Sequence, residues 1–409
     1  MRIREMKKED ISEVSPNYIN AYPGFNMAPE ETANFFEGKL EREDNSLYLA
    51  VDEQDTILGG FNLIDYTIYL KYNQFEMSGI GGVWVGLEHK KRGVAKFLMK
   101  EALKIMRKKG VPISTLYPFR HDFYQKMGWG QVGEFREFKF KPSSLEVYPE
   151  RKFVKEYTEE DQEGIQNCYD QYARGQNCMV KRTDKNWESR FKRKPRIYIY
   201  EEGGEIQGYM NFNFGKPNTS PLNYEMIIRE LVALNRKAYH GLLGFVASQF
   251  DQVKEVLYFT HPADPFHHLL KEPRRADELM YSTGVFHYAQ RIGIGWMFRL
   301  VDVEEALKGR LNYNGANLEV TFNIEDDFLE ENSGQYRLIL KDGKPEVHKG
   351  QDCESEIKAD IATLSQLYTN YLTFQDAVDI GKIEVSDERI IEELDRAFKL
   401  PQAMMLESF

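Results

Sequence analysis

A group of basic residues stands at a point in the sequence where cations are normally unfavourable. Within the stretch GGVWVGLEHKKRGVAKFLM, residues 81–99, four cations lie at the predicted start of a helix: Lys90, Lys91, Arg92 and Lys96. A helix N-terminus carries partial positive charge and unpaired N–H groups, so added cations are repelled unless an anion is bound. Gly93 lets a ligand approach the backbone closely, and Ala95 is small enough to lie beside it. The pattern basic–x–x–Gly–x–Ala therefore predicts a pyrophosphate site.

The elements around this pattern are those that such a site requires. Residues 1 to about 142 are predicted to form a strand, a helix, a hairpin, the strand Val83–Trp84–Val85, and a helix that stops at Gly110. Small and apolar residues recur at helical spacing after the basic group, at Ala95, Leu98, Ala102 and Met106. A strand followed by a glycine turn and an amphipathic helix favours the anion site over the alternative, a solvated basic turn.

A second segment, residues 150–292, repeats part of this order. RIYIYEEGGEIQGYMNFNF is a predicted hairpin that turns at Gly203–Gly204, IIRELVALN is the next strand, and GLLGFVASQFDQV is the helix after it. Where the first segment has EHKKRGVA, the second has NRKAYHG, and its glycines fall at other offsets. The repetition predicts a duplicated domain whose second copy has lost the anion site.

A third segment begins near Gly295 and has a different order of elements. MFRLVDVEEALKGR is predicted to run from strand to helix, YRLILKDGKPEVHKG is a hairpin on an Asp–Gly turn, and two amphipathic helices follow. Because no Pro- or Ser-rich linker separates the segments, we expect packed rather than tethered domains.

Composition narrows the class of protein. The chain has 409 residues, 42% of them hydrophobic, which is too long for one core. The net charge of −11 argues against nucleic acid as the main partner. We expect no membrane partner either, since no apolar run approaches the length of a bilayer span. The N-terminus lacks a signal-peptide core, and three unclustered cysteines fit a reducing cytoplasm.

The first segment resembles the acyl-CoA loop of the GNAT acetyltransferase superfamily, whose pattern is Arg/Gln-x-x-Gly-x-Gly/Ala. Lys90 stands here in place of Arg or Gln, which matters little because backbone N–H groups make most phosphate contacts. The resemblance implies acetyl-CoA as cosubstrate, with its pantetheine pairing to the backbone of Val83 and Val85. The residues implied to bind it are Val83, Trp84, Val85, Lys90, Lys91, Arg92, Gly93, Val94, Ala95, Lys96, Phe119 and Arg120.

Tyr124, in the stretch FYQKMGW, matches the tyrosine that GNAT enzymes place at the thioester sulfur. Acyl transfer from a thioester requires an attacking amine, a donor to the oxyanion and an acid for the departing thiolate. A phenol hydroxyl can donate to sulfur at neutral pH without carrying charge. The resemblance thus implies Tyr124 as acid and the N–H of Val85 as the oxyanion donor, whereas a plain packing role is the alternative among 24 tyrosines.

Over its whole length the chain is similar to the Eis (enhanced intracellular survival) family of acetyltransferases. The resemblance is carried by EHKKRGVAKFLM with FYQKMGW, by THPADPFHHLL, and by the ending LDRAFKLPQAMMLESF. It implies tandem α/β GNAT-like domains, the second degenerate, followed by an α+β domain like sterol carrier proteins, with boundaries at 1–149, 150–294 and 295–409. It also implies a homo-oligomer, commonly a hexamer, and the α-carboxylate of Phe409 as the catalytic base.

Two parts of the sequence fit these expectations less directly. The family commonly has Ser–Glu where this chain has Phe119 and Arg120, so Arg120 is assigned either to the 3′-phosphate or adenine region or to solvent. The histidines and aspartate of HPADPFHHLL could suggest a metal site, but such proline-punctuated loops are more often structural, and we expect no metal.

Three functions follow from these patterns. The first is an acetyl-CoA-dependent N-acetyltransferase for cationic small molecules, with aminoglycosides implied by the resemblance and acidic residues such as Glu30 and Glu31 near the substrate. The second keeps the chemistry but takes a protein lysine or N-terminus, which would require an open groove. The third is a lipid-binding protein with a vestigial first domain, which the intact Gly93–Ala95 pattern argues against.

Overall fold

The computed structural model describes residues 1–192, 196–215, 224–277 and 287–407. The first part of the chain forms a mixed sheet with covering helices. Its elements are β1 (Arg2–Glu5), α1 (Ile11–Ala21), α2 (Pro29–Leu40), β2 (Asn45–Val51), β3 (Ile57–Leu70), β4 (Asn73–Val85), α3 (Val94–Lys108), β5 (Ile113–Leu116), α4 (His121–Gln125) and β6 (Gly130–Gln131). Helix α3 buries Leu98, Ala102 and Met106 as their spacing predicts, whereas Ala95 stays half-buried.

The second part of the chain repeats the order of hairpin, strand and helix. Its elements are β7 (Glu134–Phe140), β8 (Val154–Glu156), α5 (Gln162–Arg174), β9 (Asn177–Val180), α6 (Asp184–Lys192), β10 (Arg196–Glu202), β11 (Glu205–Phe214), β12 (Tyr224–Ala233), α7 (Arg236–Ala247), β13 (Val253–Thr260) and β14 (Arg291–Ile294). The predicted hairpin at Gly203–Gly204 is confirmed by the pairing of β10 with β11. Strand β12 runs parallel to β13, as β4 runs parallel to β5.

The last part forms a smaller sheet with helices on one side. Its elements are β15 (Met297–Leu300), α8 (Val303–Gly309), β16 (Leu318–Glu325), β17 (Gly334–Lys341), β18 (Lys344–Lys349), β19 (Glu356–Asp360), α9 (Ile361–Tyr368), α10 (Phe374–Asp379), β20 (Ile383–Val385) and α11 (Ile391–Phe398). All eight residues of α9 are buried. Tyr368 at its end therefore belongs to the core, and the predicted Asp–Gly hairpin is β17–β18.

Three sheets result, and the chain crosses between them. Their strand orders are β1-β2-β3-β4-β5-β15-β6 with β9 also on β3, then β14-β7-β13-β12-β11-β10-β8, and β18-β17-β16-β19-β20. Strand β15 inserts between β5 and β6 of the first sheet, although the sequence placed it in the third segment. Strand β7, placed in the first segment, pairs with β13 in the second sheet. Sheet membership thus does not follow the expected boundaries, because pairing partners lie far apart in sequence.

Burial is consistent with closely packed domains. One apolar cluster joins β3 and β15 of the first sheet to the third domain, with Phe75 and Tyr368 in edge contact at 6.4 Å. Arg299 of β15 is fully buried and donates to the Met127 carbonyl oxygen at 2.6 Å. None of the helices within the described ranges has the length and hydropathy that crossing a bilayer requires.

Candidate active site

Strand β4 extends beyond the end of its pairing with β5. Their parallel pairing runs from Met77 with Ile113 to Ile80 with Leu116. Beyond this point β4 continues from Gly81 to Val85, and in the described part of the chain no strand pairs with that stretch on the β5 side. The edge of β4 is therefore open where the sequence analysis placed the thioester.

The N–H of Val85 faces this opening. Hydrogen-bonded and non-hydrogen-bonded pairs alternate along an antiparallel ladder. The N–H of Gly86 donates to the Leu58 carbonyl oxygen at 2.9 Å, so the next pair, Val85 with Gly59, is a non-hydrogen-bonded one. The Val85 N–H consequently points away from β3 and is free to donate to a ligand in the gap.

A β-bulge interrupts β4 just before Val85. Gly81 pairs with Asn62 and Trp84 pairs with Gly60, so two residues of β4, Gly82 and Val83, oppose one residue of β3. Gly82 has a φ of 54°, a left-handed conformation that suits glycine. The hydroxyl of Tyr22, at the end of α1, donates to the Val83 carbonyl oxygen at 2.6 Å and holds the bulge from the opposite side.

The helix that follows begins without a side-chain cap. Gly93 is the N-cap of α3, with a φ of 81° and open space around it, and no side chain accepts from the first N–H groups of the helix. The four predicted cations, Lys90, Lys91, Arg92 and Lys96, are all exposed around this helix start. The arrangement leaves the helix N–H groups and the basic side chains available to one anion.

The corresponding helix of the second domain is capped internally. At the start of α7 the side-chain oxygen of Asn235 accepts from the Ala238 N–H at 3.0 Å. One N–H group that an anion would use is therefore already bonded in the copy. The contrast with Gly93 supports the sequence interpretation that the second domain has lost this site.

Tyr124 lies in α4, against the same apolar cluster as the open end of β4. It is 5% exposed, and its ring contacts Phe123 at 5.2 Å and Trp129 at 6.4 Å between centroids. Val94 belongs to this cluster and Val83 and Val85 pack against it, so the tyrosine, the open strand and the helix start share one hydrophobic core. Burial raises the pKa of Tyr124 to about 12, so its hydroxyl keeps its proton at neutral pH.

Three further predicted cofactor residues, Trp84, Phe119 and Arg120, differ in their surroundings. Trp84 is buried with Val14 and Tyr18 beneath α1 and lines the cavity described below. Phe119 is 76% exposed, and its ring lies 5.6 Å from that of Tyr124. The guanidinium of Arg120 forms an ion pair with Asp122 at 2.6 Å, so a cofactor phosphate would compete with a carboxylate for it.

A cavity of about 1010 Å³ opens on the other side of the bulge. Its floor is the backbone of Gly81 and Gly82, and its walls include Tyr22, Phe35 and Phe61. The second domain contributes the far wall, with Arg190, Arg229 and Glu230 among its residues. Glu30 and Glu31, expected near the substrate, are exposed and do not line it, and Glu31 instead accepts from the Ala28 N–H at 3.1 Å.

The last described residues of the chain cross this cavity and are held there by ion pairs. The carboxylate of Glu407 accepts from Arg182 Nε at 2.7 Å and from Arg190 Nη2 at 2.7 Å. Arg182 also forms two hydrogen bonds of 2.8 Å to Glu230, and the Tyr117 hydroxyl donates to the Glu407 carbonyl oxygen at 2.5 Å. We call Arg182, Arg190, Glu230 and Glu407 the tail clamp.

Two of the four residues of the tail clamp are almost completely shielded from water, whereas Arg190 is 24% exposed. The Arg182 and Glu230 side chains are 1% and 6% exposed, and the Arg182 guanidinium lies 3.7 Å from the ring centre of Tyr169. Burial opposes ionisation of Glu230, but Arg182 and Arg190 outweigh it and lower its pKa to about 2. The same two arginines hold the pKa of Glu407 below its usual value despite burial. Both carboxylates are therefore charged and already paired.

Phe409, the predicted base, lies outside the described residues.

The histidine-rich loop belongs to the second domain's own cleft. Asp264 accepts hydrogen bonds from Thr260 at 2.7 Å, Tyr258 at 3.0 Å and Tyr239 at 3.2 Å. A search for three or more clustered His, Cys, Asp or Glu side chains found no group that could hold a metal ion within the described ranges. The hydrogen bonds of Asp264 fit the structural interpretation of this loop.

Comparisons with known proteins agree with this geometry. Residues 2–132 and residues 178–300 match two family descriptions, each an acetyltransferase (GNAT) domain, and residues 303–406 match the sterol carrier protein domain. The chain is a GNAT-type acetyltransferase. The open β4 edge and the uncapped α3 lie in the first GNAT domain, and the sterol-carrier-like domain supplies the tail that crosses the cavity.

Three known proteins are similar to this chain over most or all of its length. A Streptomyces avermitilis protein described as an uncharacterized N-acetyltransferase is 27% identical over 362 residues, which cover 84% of this chain and 83% of that protein. A GCN5-related N-acetyltransferase from Anabaena variabilis superposes with a TM-score of 0.84 at 22% identity, covering 100% of both chains. Eis1 from Mycobacterium abscessus superposes with a TM-score of 0.79 at 18% identity, again covering 100% of both. At these identities the structural likeness concerns the fold.

Sequence reasoning missed the residues of the tail clamp and the cavity. Arg182, Arg190 and Glu230 lie in the degenerate domain, and Glu407, which pairs with the two arginines, is more than two hundred positions further along the chain than either of them. Tyr22 and Lys39 come from helices whose apolar periodicity is weak. A basic pair such as Arg182 and Arg190 carries no local signal of burial, so only the three-dimensional fold brings these residues to the site.

Proposed function

We propose that the first GNAT domain transfers the acetyl group of acetyl-CoA to an amine held in the 1010 Å³ cavity. The observation that supports this most directly is the convergence of the open β4 edge, the uncapped start of α3 and Tyr124 around one gap. The diphosphate of coenzyme A would lie on the N–H groups from Gly93 to Lys96, with Lys90, Lys91 and Arg92 around it. The pantetheine would run along Val83 and Val85.

Direct attack on the thioester fits the groups that surround the gap. The amine nitrogen forms a bond to the acetyl carbon while the carbonyl oxygen accepts the Val85 N–H, which already faces that side. The carbon–sulfur bond then breaks and the thiolate takes the proton of the Tyr124 hydroxyl. The amine gives its own proton to a base, which leaves a neutral amide and free coenzyme A.

The α-carboxylate of Phe409 is our candidate for that base. Two residues span at most about 7 Å of extended chain, so a terminus two residues beyond Glu407 stays close to the cavity that Glu407 lines. The tail clamp supports this proposal because it fixes the segment that carries the terminus. An α-carboxylate is a weak base in water, and burial in this cavity would raise its pKa.

For the amine, aminoglycosides are the first candidates, on the family resemblance and on the shared fold with Eis1. A cavity that lies between two domains, with second-domain residues such as Asn186, Ser189 and Asn211 along one side, favours a small molecule over a protein lysine, which needs an open groove. A homo-oligomer remains part of the proposal on the same resemblance.

The test follows coenzyme A thiol release with acetyl-CoA and a panel of aminoglycosides, polyamines and lysine peptides. Tyr124→Phe and a chain lacking Phe409 are assayed in parallel. Turnover that falls in both variants is the expected result. Turnover that survives removal of Phe409 would refute the terminal base and leave the transferase standing. If acetyl-CoA does not bind, the proposed function is wrong.

A further inference from the structure

Charged side chains in the substrate cavity are not distributed as a polycation would require. Four cations line it, Lys39, Arg42, Arg190 and Arg229, against two carboxylates, Glu230 and Glu407. Both carboxylates are paired with Arg190 and with the buried Arg182 behind it. Within the described residues, the cavity therefore offers a cationic substrate no unpaired carboxylate.

Two of the four cations are already neutralised. Arg42 forms two hydrogen bonds to Asp44, of 2.8 and 2.5 Å, and Arg190 belongs to the tail clamp. Arg229 is exposed and lies 5.0 Å from the ring centre of Phe259. Lys39 differs from all of these because it is partly buried and has no ion pair among the described residues. Among the four cations that line the cavity, Lys39 would therefore gain most from binding an anion.

The surroundings of Lys39 explain why it is unusual. Its ammonium lies 5.0 Å from the ring centre of Phe35, on the aromatic side of the cavity formed by α1 and α2. Burial lowers its pKa to about 8, Arg42 adds to the lowering, and Asp44 opposes it. A lysine in such a place is poorly hydrated, so an anion brought by a ligand would bind it more strongly than it binds an exposed lysine.

We propose that the amine substrate also carries an acidic group, a carboxylate or a phosphate, which the ammonium of Lys39 binds. This inference rests on the proposed acetyl transfer to an amine in this cavity, and it replaces the aminoglycosides named above with an amine that carries an acidic group. The apolar body between the two groups would lie among the rings of Tyr18, Phe35 and Phe36, which contact one another at 5.1 to 6.0 Å. The amine would then face the floor at Gly81 and Gly82, beside the bulge. A polycation would instead place further positive charge beside Lys39, Arg42 and Arg229.

A matched set of benzylamines tests this inference. The compounds are 4-(aminomethyl)benzoate, 4-(aminomethyl)benzylphosphonate, 4-methylbenzylamine and 1,4-bis(aminomethyl)benzene, which share the benzylamine and carry an anionic, neutral or cationic group opposite the amine. For the wild type, Lys39→Met and Lys39→Arg, kcat/KM is measured by coenzyme A release and Kd by calorimetry with coenzyme A present. Lys39→Met keeps most of the apolar stem, and Lys39→Arg keeps the charge. Thermal unfolding of all three proteins checks that they fold equally well.

The expected result is a preference of about ten- to a hundredfold for an acidic compound over the methyl compound, the size of one charge-assisted hydrogen bond. Lys39→Met removes the preference without weakening the methyl compound, and Lys39→Arg restores part of it. The two acidic compounds show which anion fits. Equal or better turnover of the diamine or of kanamycin overturns the inference, as does a preference that survives in Lys39→Met.

Failure of the proposed function gives a different pattern. If no amine in either panel releases coenzyme A, the proposed transfer to a small-molecule amine is wrong, while a Kd preference that depends on Lys39 would still support the anion site. If every benzylamine is turned over at a similar rate, the transferase stands and the anion site is wrong.

Discussion

The guanidinium of Arg190, in the degenerate second GNAT domain, lies 2.7 Å from the carboxylate of Glu407, in the tail that lines the proposed substrate cavity. With Arg182 it forms a buried double attachment for that tail. The second domain, although its own helix start is capped by Asn235, thus supplies the groups that hold the tail over the first domain's chemistry.

Removing the charge of Glu407 should release the tail. We expect Glu407→Gln to lower kcat/KM at least about tenfold, because small displacements of catalytic groups are costly. In a chain that also lacks Phe409 the same substitution should cost almost nothing, since the two changes act through one terminus. Additive losses in this double-mutant cycle would show that Glu407 acts only on stability.

A second measurement follows the tail without using activity. Carboxypeptidase should trim Glu407→Gln faster than the wild type, as read by intact mass. Glu255→Gln is the control, because it breaks a buried ion pair of the second sheet, 2.9 Å from Lys139, that does not touch the tail. Equal trimming of Glu407→Gln and the wild type would contradict the clamp.

Tyr124→Phe should lower kcat by about a hundredfold or more, the usual contribution of a general acid. Burial raises the pKa of Tyr124 to about 12, so the hydroxyl keeps its proton below that pH and loses it only above. The wild-type rate should therefore show no decline from this group up to about pH 10. Tyr48→Phe, a cavity tyrosine stacked on Phe61 at 5.2 Å, is the control and should leave kcat nearly unchanged. A similar loss in both variants would argue against an acid role for Tyr124.

Gly93→Ala should weaken acetyl-CoA binding more than it weakens the fold. Gly93 and Gly110 bound the same helix, have φ values of 81° and 73°, and have no atom within 4 Å of an added Cβ. The two alanine substitutions therefore carry a similar strain of about 1–2 kcal/mol, which isolates the effect of position. Calorimetry should give a several-fold higher Kd for acetyl-CoA in Gly93→Ala only. Matching Kd values in the two variants would place the diphosphate elsewhere.

Acid should weaken the tail clamp in a defined pH range. The pKa of Glu230 is lowered from 4.5 to about 2 in the folded chain, so its ion pairs stabilise the fold fully above about pH 4.5. As the pH falls from 4.5 through about 2, that contribution is lost. The difference in unfolding free energy between wild type and Glu230→Gln should be constant above pH 5 and shrink below it. A difference that stays constant down to pH 3 would contradict this assignment.

Local patterns in the sequence were sufficient to predict the strand, the glycine turn and the helix of the proposed cofactor site. The strand ending at Val85, the left-handed Gly93 and the helix after it are each specified by neighbouring residues, and the structure has them where the patterns predicted. The sequence also predicted that the second copy has lost the site. That Asn235 caps its helix could be seen only in the structure.

Contacts between distant residues were beyond such reasoning. The expectation of acidic residues at the substrate placed Glu30 and Glu31 near it, whereas the cavity is lined by Lys39 of the same helix and by arginines of another domain. The ion pair of Arg120 with Asp122 is a local contact between residues two positions apart. In contrast, no neighbouring residue in the sequence distinguishes the buried Arg182 from a solvated arginine. Burial decides the role of each charge, and burial is a property of the whole fold.

The insertion of β15 between β5 and β6 has a consequence for how the protein is made. The ribosome synthesises the first GNAT domain long before it synthesises Met297–Leu300. The first sheet of the nascent chain therefore lacks the strand between β5 and β6 while the second domain is being made. At ordinary elongation rates the delay is on the order of ten seconds. During that interval the edges of β5 and β6 are unpaired and can pair with other chains. We therefore expect chaperones to bind the nascent protein. The first domain expressed alone should aggregate unless Met297–Leu300 is supplied.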